Sequence, residues 1–195
     1  MHKLMIPCLL AIATAGCAGQ GRMPALSAYD AEFAPYSSSE AVTAVQFHRD
    51  GLGGDIPACV AETVSNQGET LADSSGSFVG AYTGNYYNVQ RSSHSAGGSV
   101  LEHVAQDGKS VVASGSVRYS AGALVTRSVR FKLALKQSDS GRIYRFSSLG
   151  QAQLDTGAAA NNGYTPIGSW SGANPDLALA SLSKVTDEIE RCLSR

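Results

Sequence analysis

The chain reads as an α+β domain of two layers, an antiparallel β-meander of about five or six strands with N- and C-terminal helices packed on one face. Three patterns carry that expectation. Apolar residues recur on alternate positions through three neighbouring stretches: Val111, Ala113, Gly115, Val117 and Tyr119; then Val125, Val129, Phe131, Leu133 and Leu135; then Tyr144, Phe146, Ala152 and Leu154. The connections Ser120-Ala121-Gly122 and Ser138 to Gly141 are turn-like, so these strands run antiparallel with one buried face. The third pattern is helical: from Pro175 to about Leu193 a stripe of Ala178, Leu182, Val185, Ile189, Cys192 and Leu193 follows the 3.6-residue period.

The remaining elements follow in chain order. Ala41 to Phe47 passes as a short strand and Asp50 to Gly54 as a turn. Asp55 then has the character of an N-cap, Pro57 sits in the tolerated first turn, and Ile56, Cys59, Val60, Thr63 and Val64 share a face before Gly68 ends the helix. Thr70 to Gly76 reads as loop, and Ser77 to Arg91 as a hairpin turning at Gly84-Asn85. Residues 155–173 form a long connection rich in Gly, Ala, Asn and Ser, with Asn162-Gly163 available as a turn. Asn174 and Pro175 supply the cap and first position of the last helix, with Asp176 near its positive end and Arg191 near its negative one.

The amino terminus has a different organisation. Met1 to Lys3 is a short basic start, Leu4 to Ala13 an apolar run broken only by Pro7, and Ala15-Gly16-Cys17 a small-residue end. That is the layout of a signal peptide, and its apolar run is too short for the roughly 20 residues of a bilayer-spanning helix. Leu9 to Cys17, LLAIATAGC, resembles the lipobox of bacterial lipoproteins: Gly16 and Ala15 fit the small residues before the cysteine, while Thr14 stands where leucine is most frequent. The resemblance implies cleavage after Gly16, a diacylglyceryl thioether on Cys17 and acylation of the new amine, which together anchor far more firmly than one acyl chain. Ala18 in place of the aspartate that retains such proteins in the inner membrane implies the outer membrane, periplasmic face. Ala13-Thr14-Ala15 is also a site for the ordinary signal peptidase, whose product would be a soluble periplasmic or secreted protein.

Cysteine arithmetic bears on that choice. Cutting after Ala15 leaves Cys17, Cys59 and Cys192 and therefore an odd thiol, whereas lipidating Cys17 leaves a pair. Cys59 and Cys192 both lie on apolar helix faces, so a disulfide would pin the first helix to the last, contributing about 2 to 4 kcal/mol; two buried free thiols are the alternative. The domain plan is thus a signal peptide over 1–16, a lipidated cysteine and flexible tether over 17–40 with a reach of about 25 Å, and one α+β domain over 41–195. Tyr29, Phe33 and Tyr36 could shorten that reach by docking on the domain.

Charge and motifs narrow the function by exclusion. Lys and Arg number 15 against 16 Asp and Glu, for a net charge of −1, which excludes a global electrostatic attraction to nucleic acid. His48, His94 and His103 make no metal-ligand spacing, carboxylates are scattered, and Gly168-Ser169-Trp170-Ser171-Gly172 places a tryptophan where a nucleophile elbow needs serine. No catalytic residue, metal or cofactor is expected. Two features point to binding. By strand parity Arg118, Arg130, Lys132, Lys136 and Arg145 fall opposite the core, a basic face suited to an anionic glycan or lipid, while Arg127 falls on the core side. The long connection carries Tyr164 and the sole tryptophan, Trp170, which would stack on a sugar, anchor a protein partner or cap the core. The order of helix, strands and helix behind a lipidated cysteine is also similar to that of lipoproteins that assist lipopolysaccharide assembly, without a shared residue motif. The expected function is a non-enzymatic, membrane-anchored lipoprotein supporting or binding an envelope protein, glycan or lipid.

Overall fold

A computed structural model describes residues 21–195. The signal segment and Cys17 lie outside the described residues. The chain first makes a 3₁₀ turn, Pro24–Ala28, and then strands β1 (Asp30–Tyr36) and β2 (Ser39–Arg49), helix α1 (Ile56–Thr63), and strands β3 (Glu69–Asp73), β4 (Phe78–Val79), β5 (Tyr86–Tyr87), β6 (Arg91–Ser95) and β7 (Leu101–Val104). The long strands β8 (Ser110–Gly122), β9 (Val125–Ser138) and β10 (Gly141–Gln153) follow, then β11 (Ile167–Gly168) and helix α2 (Pro175–Leu193).

The main sheet has seven strands in the order β1-β2-β10-β9-β8-β7, with β11 paired to β2. Every pairing in it is antiparallel. The α+β expectation therefore holds, with both helices on one face. Val111, Ala113, Phe131, Leu133, Leu135, Tyr144 and Phe146 meet Ile56, Val60, Ala178, Leu182 and Ile189 in a single core, where each large apolar side chain contributes about 1.5–3 kcal/mol. Cys59 and Cys192 are joined, with their Cα atoms 5.6 Å apart, so the two helices are covalently tied across that core.

Several local expectations need correction. The segment read as tether is folded from Pro24 onward: β1 pairs with β2 from Asp30↔Gln46 to Tyr36↔Ser39, and Leu26 is buried. Pro35 is what obscured it, since proline, lacking an N–H, is accommodated in a strand only at a sheet edge. The supposed loop 70–76 is mostly β3, which pairs with β6 from Glu69↔Ser95 to Asp73↔Arg91. The hairpin at 77–91 exists, but its paired part is only Phe78↔Tyr87 and Val79↔Tyr86. Its turn spans Gly80 to Asn85, closed by Gly80 N–H to Asn85 O (2.9 Å), rather than two residues. Asn174 occupies the cap position of α2 in the left-handed conformation (φ 53°) without a side-chain cap bond, a backbone state that asparagine tolerates better than most residues. Asp55, by contrast, caps α1 as expected, its carboxylate accepting from Ala58 N–H at 3.1 Å.

A bulge in β10 explains how the long connection returns to the sheet. Ser147 opposes Lys132 and Gly150 opposes Arg130, so β10 carries one extra residue there, and Ser148 takes a positive φ of 51°. β10 pairs with β2 only up to Ser147↔Ala44. Beyond the bulge, β11 takes its place on β2, and Gln151 pairs with Thr165 instead.

Candidate functional site

The register places the five basic residues on one face as parity predicts. Successive rows of that outer face read Arg118, Ser128, Ala152; Ser116, Arg130, Gly150; Ser114, Lys132, Ser147; Val112, Ala134, Arg145; and Ser110, Lys136, Ile143. Its charge is not what the basic run alone implies. Arg118 donates to both oxygens of Glu69, with the shortest contact 2.6 Å. Lys132 meets Glu102 at 2.8 Å, and Arg145 forms two bonds to Glu32 at 2.5 and 2.8 Å. Arg130 lies over the Tyr164 ring, 4.4 Å from its centroid. Lys136 is exposed and, among the described residues, has no ion pair. Carboxylates therefore answer three of the five basic side chains.

The carboxylates were missed because they come from β1, β3 and β7, outside the basic run of β8 to β10, and only the topology brings them onto this face. The arginine beside Glu32 holds its carboxyl below the ordinary carboxylate range, chiefly through the hydrogen bond. Lys132, and then the Ser114 hydroxyl, does the same for Glu102.

The outer face is also partly covered. Glu69 is buried and accepts from the fully buried Ser128 hydroxyl at 3.2 Å; Ser128 in turn accepts from the Tyr164 hydroxyl at 3.0 Å. β3 therefore crosses the outer face and forms a partial third layer. It is fastened at its far end by Ala72 N–H to Leu154 O (2.8 Å) and Ser74 N–H to Gly157 O (2.7 Å). Burial raises the Tyr164 phenol above its ordinary value. Its hydroxyl and ring are both engaged inside the fold, so Tyr164 fastens the long connection to the sheet.

Trp170 is half-buried rather than presented to solvent. Its ring runs parallel to Tyr36, 4° between planes and 6.5 Å between centroids. It also lies across Gly168, where a Cβ would come within 2.3 Å of its six-membered ring. Only glycine allows that approach. Beside the two rings is a cleft of about 310 Å³ that includes Arg127, Gln151 and Asn161 in its walls. Those polar groups are largely occupied in holding the connection. Gln151 accepts from the Tyr119 hydroxyl (2.9 Å) and donates to Ala173 O (3.1 Å), Arg127 donates to Ala173 O (2.6 Å), and Asn161 donates to Ala72 O and Gln153 O. Arg127, placed on the core side by parity, thus finds a carbonyl at the end of the sheet.

A second polar cluster, which the sequence did not single out, sits at the opposite end. Arg142, whose side chain is 2% exposed, donates to Glu190 (2.6 Å), to Gln137 Oε1 (3.2 Å) and to Gly53 O (2.5 Å). The buried Tyr144 hydroxyl donates to the other Glu190 oxygen at 2.6 Å. Burial, and then the Glu190 carboxylate, drive the Tyr144 phenol well above its ordinary range, so it stays protonated as a donor. Arg49 to Asp187 (2.7 Å) and the Cys59–Cys192 bridge complete a lock between sheet, α1 and the last turns of α2. The period-2 position of Arg142 among apolar residues was the available signal.

The histidines are dispersed: His48 opposes Ile143, His94 opposes Thr70 and His103 opposes Val112. Among the described residues no group of three or more His, Cys, Asp or Glu is arranged to hold a metal ion, and no helix is long and apolar enough to cross a membrane. No protein-family model matches the chain, and neither the curated proteins nor the solved structures contain a match.

Proposed function

We propose that the protein is a non-enzymatic lipoprotein of the cell envelope, held by acyl chains on Cys17 at the periplasmic face of the outer membrane, where it supports or binds an envelope component. The observation that carries this reading is LLAIATAGC set close before a domain whose two cysteines are bridged to each other. A structural disulfide belongs to an oxidising compartment, and the Cys59–Cys192 bridge leaves Cys17 without a competing partner in the domain. The sheet is covered on one face by two cross-linked helices and carries ion pairs on the other. The alternative, an anionic glycan or lipid on the basic face, has less support, because carboxylates occupy Arg118, Lys132 and Arg145.

Fractionation and crosslinking in the native envelope, comparing wild type with Cys17→Ser, test the reading. The wild type is expected in the membrane fraction, with its crosslinked partners there, and the variant in the soluble fraction. Equal solubility of the two forms contradicts it. For the alternative, Arg130→Glu with Lys132→Glu should abolish pulldown on anionic envelope glycans; unchanged pulldown removes it.

A further inference from the structure

The place where the chain enters the domain coincides with the least charged end of the molecule. Arg22 pairs with Glu40 (2.6 Å) and Met23 N–H donates to Ser169 O (2.8 Å), so the entering chain lies at the end holding the β1–β2 turn. The pairings Gln153↔Arg127 and Arg127↔Tyr119 put the close of β10 and the β8–β9 turn at that same end. The Ser74–Gly157 bond brings the base of the β4–β5 hairpin there as well. At this end the stretches 36–39, 74–90, 120–126 and 156–175 contain no Asp, Glu, Lys or Arg; the charges beside them are the Arg22–Glu40 pair, Asp155, Arg127, and Asp73 and Arg91 at the base of the hairpin. At the opposite end the connections carry Asp50, Asp55, Asp107, Lys109 and Asp139.

Exposed apolar side chains are concentrated at the entry end, although Leu52 (60%) and Val104 (40%) are exposed at the other. On the hairpin, Phe78, Val79, Tyr86 and Tyr87 are exposed and Tyr82 is completely so at 103%; at the β8–β9 turn Leu124 is 97% exposed. Phe78 and Tyr87 stack on one another, 5.0 Å between centroids, and so present a joint aromatic surface.

We propose that this end rests on the bilayer, with the β4–β5 hairpin set among the headgroups of zwitterionic phospholipid. The proposal rests on acylation of Cys17. Only Ala18, Gly19 and Gln20 separate that residue from Gly21, so an extended chain holds the domain's entry point within about 14 Å of the lipidated sulfur. The short spacer selects the bilayer rather than a protein as the neighbour of this end. Tyrosine suits the interface because its ring is apolar and its hydroxyl stays hydrated. With no charge on the hairpin, entering that layer strips no ion of water, and the contact needs no anionic lipid.

The test uses the full processed protein purified from the envelope and reconstituted into phosphatidylcholine vesicles with brominated acyl chains. Tyr82→Trp places a reporter on the hairpin and Leu52→Trp one at the opposite end; both positions are exposed, so neither disturbs packing. Emission is read as the difference from wild type, whose sole tryptophan is Trp170. The hairpin reporter is expected to shift to the blue and lose most of its emission to bromine, unchanged by high salt, while the Leu52 reporter keeps its emission. Equal quenching at both positions, or none at Tyr82→Trp, overturns the orientation. Mass spectrometry of the same preparation separates the two failures: acylated Cys17 with an unquenched hairpin overturns the orientation alone, and an unacylated Cys17 overturns the anchor and the orientation together.

Discussion

At the end where β2 pairs with the start of β10, Arg142, Glu190, Tyr144, Arg49 and Asp187 interlock beside the Cys59–Cys192 bridge. At the end where the chain enters, the β4–β5 hairpin and the β8–β9 turn are free of charge, aromatic residues stand exposed, and loops are held by amide and carbonyl hydrogen bonds around Gln151 and Asn161. The two ends divide the work. The buried Arg142–Glu190 pair, the more exposed Arg49–Asp187 pair and a covalent bridge resist separation of helix from sheet, and they are concentrated where the helix terminus would otherwise fray. The entry end keeps side chains that gain by leaving water, and its hairpin has no charge to desolvate.

Disrupting the charged lock should have the largest effect. Arg142→Ala leaves the Glu190 carboxylate without its cation, held only by the Tyr144 hydroxyl, beside a cavity, and loss of about 3–5 kcal/mol is expected in urea denaturation, as for removal of one partner of a buried pair. A midpoint within error of wild type would show that the lock contributes little. Replacing both cysteines, Cys59→Ala with Cys192→Ala, should lower stability by about 2–4 kcal/mol in the same measurement. At the entry end, Gly168→Ala drives a methyl into the Trp170 ring, and overpacking of that kind costs about 1–3 kcal/mol. Near-ultraviolet circular dichroism should report the displaced tryptophan, and an unchanged spectrum would mean that the ring is not seated on residue 168.

Acid provides a milder probe. Asp73, at the base of the hairpin, is held below the ordinary carboxyl range first by the Ser75 hydroxyl and then by the Asn161 and Ser75 amides. Glu32 and Glu102 are lowered by their cationic partners. Carboxyls with lowered folded values stabilise the fold above their unfolded values, and that contribution is lost as the pH falls through the folded ones. Thermal midpoints should therefore be flat above about pH 5 and decline below about pH 4. A decline at neutral pH would have to come from other groups. The smallest effect is expected from Tyr82→Ser, within about 0.5 kcal/mol, since that side chain is fully exposed. A larger loss would show that the hairpin is part of the core rather than an added surface.

The elements with unbroken period were legible in the residues. β8, β9, β10 and α2 appear within a few positions of their expected bounds, and the cysteine faces foretold the bridge. Elements whose pattern is interrupted were not. β1 carries Pro35, β3 is only five residues with a buried glutamate, and the β4–β5 hairpin stands apart from the sheet. Strand parity also located the basic residues correctly but could not reveal Glu32, Glu69 and Glu102 across the sheet, because ion pairing depends on topology and not on local order. Tyr164 and Trp170 were recognisable as special, yet their roles were set by Ser128 and Gly168, neither conspicuous alone.

The anchor itself is tested most directly at the amino terminus of the protein isolated from its native envelope. Mass spectrometry of the N-terminal peptide is predicted to show a chain starting at Cys17 with a diacylglyceryl thioether and an acylated amine. A peptide starting at Gly16 with an unmodified Cys17 would contradict the account, leaving a soluble protein with an odd thiol.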